Sequence, residues 1–151
     1  MSVDTILQVL ATVFNSFVES VGSNLTIVFL CEHGAAKSIL AAAYFNHLAD
    51  ELGIKMRSVA RGTNPDPILS PQTIAGLTRD GLTPTESFPR EITEADMKSA
   101  SRVITFCELP EKYPQTIPIE FWKDVPPVSE DYARSRDIII DRIRLLLKKM
   151  E

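Results

Sequence analysis

Cys31, Lys37 and Ser38 put a thiol, a cation and a hydroxyl within one short stretch, Ile27 to Ser38 (IVFLCEHGAAKS). Between the thiol and the cation lie Glu32–Ala36, mostly small residues, with Gly34 free to take backbone conformations closed to other residues. This is the raw material for nucleophilic chemistry on an oxyanion. A helix beginning directly after such a loop presents unpaired N–H groups and a positive dipole end. Those bind tetrahedral anions and favour thiolate over thiol at a nearby cysteine.

The flanking pattern supplies the elements that would hold these groups. Ile27–Leu30 is an apolar run suited to a strand buried on both faces of a parallel sheet. From about Ala36, the apolar residues Ile39, Leu40, Ala43, Tyr44 and Leu48 recur at helical spacing. Cys31 therefore leaves a strand, and a helix starts behind the loop. Further strands are predicted at Ile54–Ala60, Arg102–Cys107 and Thr116–Trp122. Helices are predicted from Ser70-Pro71 to Asp80-Gly81, from Thr93 to about Ala100, and from Ser129 to the C-terminal lysines. Strands alternating with helices indicate a single α/β domain, doubly wound around a mostly parallel four-stranded sheet. Ligands of such sheets bind beyond the carboxyl ends of the strands. Cys31, Arg61, Cys107 and the loop starting at Asp124 all fall at or near such ends, so one shared pocket is expected.

Residues 1–24 form a separate N-terminal extension ahead of the domain at 25–151. Ile6, Leu7, Leu10, Val13, Phe14, Phe17, Val18 and Val21 lie on one broad helical stripe, and Gly22-Ser23-Asn24 ends it. Two readings stand for this amphipathic helix: packing on its own domain, or a homodimer contact.

Composition narrows the function. The 151 residues carry a formal charge of −4, with 44% hydrophobic and 24% charged residues, an ordinary soluble balance without a basic stripe. Nucleic-acid binding is not expected. No apolar run approaches the length of a membrane span, the N-terminus lacks a basic signal region, and two cysteines are too few for a disulfide scaffold. A cytoplasmic protein without membrane partners is the expectation.

Taken together these residues resemble the low-molecular-weight protein tyrosine phosphatases and their arsenate reductase relatives. The family motif is Cys, five residues, Arg, Ser, between the first strand and the first helix. Cys31–Ser38 matches it in place and spacing, with Lys37 at the Arg position. Ala60-Arg61-Gly62-Thr63 stands where the family usually has Ser-Ala-Gly-Thr. The likeness continues through Ser70–Leu82 and Ile92–Cys107 to Asp124-Val125-Pro126, near the family's Asp-Pro loop. The resemblance implies that Cys31 attacks phosphorus and forms a phosphocysteine. Main-chain N–H groups of Glu32, His33, Gly34, Ala35, Ala36, Lys37 and Ser38 would hold the phosphoryl oxygens. Ser38 would donate to the sulfur, and Asp124 would serve as general acid and then base. Arg61 is a candidate for the pocket rim. No metal or other cofactor is implied, and the partner is a phosphorylated substrate or another oxyanion.

The departures from the motif keep two alternatives open. Lys37 keeps the charge of arginine but loses its planar two-point grip, a loss of roughly a hundredfold in rate if that grip acts in the transition state. Glu32 places a carboxylate beside an anion site, Gly34 replaces the usual bracing Asn, and the aromatic pair that often follows the Asp-Pro is absent. One alternative is an arsenate reductase working with an external low-molecular-weight thiol, since Cys107 is the only second cysteine. The other is an oxyanion- or phosphoprotein-binding homologue with weak or no turnover.

Overall fold

β1 (Thr26–Cys31) is apolar at consecutive positions because both of its faces are covered. Side chains alternate along a strand. Ile27, Phe29 and Cys31 accordingly enter one core with Ile39, Phe45, Trp122, Ile143 and Leu147, while Val28 and Leu30 enter a second with Ile92, Met97, Val103 and Tyr113. The computed structural model describes residues 3–10, 26–113 and 117–150. Around β1 it builds a four-stranded sheet of order β2-β1-β3-β4, with β2 at Arg57–Gly62, β3 at Ala100–Thr105 and β4 at Ile119–Phe121. Every pairing is parallel. The chain runs from β1 to one side and returns to the other, so β1 and β3 flank the point where strand order reverses.

The helices follow local signals closely. α1 covers residues 3–10, and its remaining predicted positions, 11–21, lie outside the described residues. In α1 Val3, Ile6, Leu7, Val9 and Leu10 are all exposed. α2 (Lys37–Glu51) packs its small, apolar sequence against β1, β2 and α5. It is tied to β2 where Asn46 Oδ1 accepts from the Ser58 amide at 2.8 Å and the Ser58 hydroxyl donates to the Ala42 carbonyl. α3 (Pro71–Arg79) starts with Ser70 as cap and proline in its first turn. α4 (Glu94–Ser99) carries the reciprocal Thr93–Asp96 capping box. α5 (Tyr132–Lys148) begins two residues later than a Ser129 cap predicts, because the Asp131 carboxylate, not the Ser129 hydroxyl, accepts the Arg134 amide. The second strand also starts later than predicted, at Arg57, where pairing with Thr26 begins.

One half-buried carboxylate joins three helices. Asp80, at the end of α3, accepts hydrogen bonds from Tyr44 of α2 at 2.6 Å and Tyr132 of α5 at 2.8 Å, and pairs with Arg136. Gly76 lets Tyr132 reach it, since a Cβ at that position would lie 2.2 Å from the tyrosine ring. Burial pushes the Asp80 carboxyl up, but the two phenolic donors and Arg136 outweigh it and hold it below the usual 3.8. A depressed carboxylate contributes stability above its unfolded value and loses it as pH falls through the folded one. Asp80→Asn should therefore cost about 2 kcal/mol at pH 7. Thermal melts across pH 2–7 should show a shallower acid limb in the variant than in the parent.

Candidate active site

The loop after β1 is shaped by main chain. Four amides of the following segment donate to four of its carbonyls: Thr63 to Cys31 at 3.1 Å, Asn64 to Glu32 at 2.7 Å, Asp66 to His33 at 2.9 Å, and Ser70 to Ala35 at 2.9 Å. In a trans peptide the next N–H points opposite to the carbonyl, and no described peptide is cis. Tethering these carbonyls therefore turns the amides of Glu32, His33, Gly34 and Ala36 away from the bracing segment. Gly34 makes the turn at φ +61°. It also lies against Gly62, and a Cβ on Gly62 would come within 2.7 Å of the Gly34 nitrogen. Two glycines meet because two backbones must touch.

α2 begins at the end of this loop and is left uncapped. Its N-cap is Ala36, with no side-chain hydrogen bond and no acidic residue in the first turn, whereas Ser70, Thr93 and Asp131 cap α3, α4 and α5. The first intrahelical bond is donated by Leu40 to Ala36, so the amides of Lys37, Ser38 and Ile39 have no partner within the helix. Cys31 Sγ lies 3.0 Å from the fully buried Ser38 hydroxyl. Cys31 is 8% exposed and lines a cavity of about 400 Å³.

Cys31, Glu32, His33, Ala35, Ala36 and Lys37 all line this cavity. Gly34 and Ser38 stand behind them, as turn and as sulfur partner. Among the described residues Lys37 has no carboxylate partner, which leaves its charge free for a ligand. The mouth holds an imidazole between two carboxylates: His33 Nδ1 is 3.1 Å from Asp66 and Nε2 is 3.8 Å from Glu32. Apolar wall comes from Ile68, Leu69, Phe106 and Val128.

Two predicted site residues are placed elsewhere. Arg61 is not on the rim. It sits on the β2 face opposite Ala60 and Gly62, 13% exposed, where it pairs with Glu86 at 3.0 Å and Asp96 at 2.9 Å. Strand alternation decides this, since the neighbours of Arg61 occupy the other face. Asp124 does not reach the cavity either. Arg142 clamps it with two hydrogen bonds, 2.8 and 2.5 Å, beside a separate depression near Trp122, and that guanidinium holds the carboxyl below its usual range. The loop reaches the cavity through Pro127, Val128 and Ser129 instead.

Sequence reasoning also missed members of the wall. Asp66 and Ile68 lie in a proline-rich segment with no periodicity, and only its pairing with the 31–35 loop brings them in. Cys107, expected at a strand end beside the pocket, does line the same cavity and is half-buried. Burial pushes its thiol up, and the nearby Cys31 and Glu32 add to that, against hydrogen bonds with Thr105 and Thr63.

Over residues 26–117 the sequence matches the family described as low molecular weight phosphotyrosine protein phosphatase. The chain belongs to that family. No curated protein matches it by overall sequence. Among solved structures it is similar to a low-molecular-weight protein tyrosine phosphatase from T. tengcongensis, with a TM-score of 0.75 at 20% identity, covering 83% of this chain and 99% of that one. The arsenate reductase of Archaeoglobus fulgidus aligns with a TM-score of 0.67 at 25% identity over 81% and 98%. A thioredoxin-dependent arsenate reductase of Corynebacterium glutamicum aligns with a TM-score of 0.68 at 23% identity, over 83% of this chain and 61% of that one. The chain's structural neighbours thus include both phosphatases and arsenate reductases. Among the described residues, no helix is long and apolar enough to cross a membrane.

The Gly34–Gly62 contact gives a direct test of the loop. Gly62→Ala forces two backbones apart where no flexible side chain can yield, so the carbonyl tethers should slip. Inorganic phosphate affinity, read by calorimetry, should fall at least tenfold, with an overpacking cost of about 1–3 kcal/mol in stability.

Proposed function

We propose that this chain is a cysteine-dependent phosphomonoester hydrolase working through a phosphocysteine. The observation that carries it is the Cys31 sulfur, 3.0 Å from Ser38 and at the floor of a cavity beneath an uncapped helix N-terminus. In this reading Cys31 attacks phosphorus and the amides of the 32–38 loop stabilise the equatorial oxygens. Lys37 neutralises the dianion as a point charge, and the Ser38 hydroxyl donates to the departing sulfur in the second step. The absence of an aromatic pair near Val128 and Ser129 speaks for a small or aliphatic carrier over phosphotyrosine. A homodimer through the exposed apolar face of α1 fits the same proposal; sedimentation of the full chain against one lacking residues 1–24 tests it.

Cys107 favours a second reading, an arsenate reductase. Two thiols line one cavity, and in this reading Cys107 would displace arsenite from a Cys31–arsenate adduct, leaving a disulfide for an external thiol to reduce. Its raised pKa makes it a reluctant nucleophile until deprotonated.

Turnover of an aryl phosphate should vanish in Cys31→Ser while inorganic phosphate still binds. Lys37→Arg should raise the rate about tenfold or more by restoring the two-point grip. Arsenate-dependent consumption of glutathione, without aryl phosphate turnover, establishes the reductase instead. Phosphate binding with neither activity establishes a non-catalytic binder.

A further inference from the structure

The hydrolase reading leaves one chemical role empty. Expulsion of an alkoxide or phenoxide needs a proton, and the loop expected to supply it presents Pro127, Val128 and Ser129 to the cavity, none of them an acid near neutral pH. Asp124 is held by Arg142 outside that cavity. The proton must come from another lining group, or poor leaving groups must go unprotonated.

We propose that His33 is the general acid and base of this pocket and that Asp66 positions it. Imidazole is the side chain that exchanges protons most readily near neutrality. His33 lines the cavity, and its Nδ1 lies 3.1 Å from Asp66 Oδ1. The same two residues are joined by main chain, the Asp66 amide donating to the His33 carbonyl at 2.9 Å. The carboxylate thus travels with the loop that carries the imidazole and fixes which ring nitrogen faces it. Nε2 remains available: its nearest carboxylate, Glu32, is 3.8 Å away, beyond a hydrogen bond. The pair reproduces the logic of an acid–base histidine oriented by a carboxylate.

The steps balance. The Cys31 sulfur bonds to phosphorus as the phosphorus–oxygen bond to the carrier breaks, and the electron pair of that bond goes to the leaving oxygen. That oxygen takes the proton from His33 Nε2. Neutral His33 then removes a proton from water as its oxygen bonds to phosphorus. The sulfur–phosphorus bond breaks, and its electrons return to Cys31. Lys37 is not the donor, because its charge opposes the dianion throughout.

This inference rests on the hydrolase reading, and graded leaving groups separate the two. With 2,4-dinitrophenyl phosphate the phenolate departs unaided; with phenyl phosphate it needs the proton. His33→Gln should lose about a hundredfold on phenyl phosphate and only a few-fold on the dinitrophenyl ester. Asp66→Asn should tilt the series the same way by a smaller amount, which a merely structural role would not do. An unchanged thermal midpoint confirms an intact fold. Equal losses on both esters, or no loss on either, overturn the assignment while leaving the hydrolase reading in place. If the parent protein turns over neither ester, the hydrolase reading falls and takes the assignment with it.

Discussion

The short ladder between the 63–70 segment and the 31–35 loop is the constraint on which the site depends. A loop of small residues has little to fix its conformation, and glycine in its middle adds freedom. Four main-chain hydrogen bonds remove that freedom by committing the carbonyls to one side. The bracing comes from a neighbouring stretch of chain. Gly34 and Gly62 are the requirement for it, since any Cβ would hold the two strands of this ladder apart.

Charge around the loop is arranged less uniformly than an anion site suggests. Lys37 and the uncapped amides attract a dianion, while Glu32 and Asp66 at the mouth repel one. His33 sits between the two carboxylates and offsets part of their charge when protonated. The more thoroughly buried ionic group, Arg61 with Glu86 and Asp96, lies on the opposite face of β2. It fixes the end of that strand against α4 and the chain before it. Removing one partner there would leave a buried charge alone.

The sheet was legible because its signals are local and redundant. An apolar run, the Ser70-Pro71 helix start and Thr93 with Asp96 each specify an element independently. The core of the site was legible for the same reason, since Cys31 to Ser38 is one contiguous strand–loop–helix unit. What the sequence did not disclose are relations between distant segments. Asp124 looked well placed by its position in a loop at a strand end, but one turn of loop geometry and a guanidinium on α5 place it elsewhere. Arg61 was one residue from the glycine that touches the loop, and one residue in a strand is the difference between two faces. Asp66 carried no periodic signal and enters only through the pairing of its segment with the 31–35 loop.

In the proposed hydrolase, holding the anion and reacting with it fall to different chemistry. The holding would be done by peptide groups, which every residue possesses, whereas the reacting would depend on side chains at Cys31, His33, Lys37 and Asp66. Substitution at the latter positions can therefore alter what is done to a bound oxyanion without dismantling the receptacle. A receptacle made from the backbone is a chassis, and a lineage that inherits it can exchange catalysts, or lose them, while still recognising tetrahedral anions.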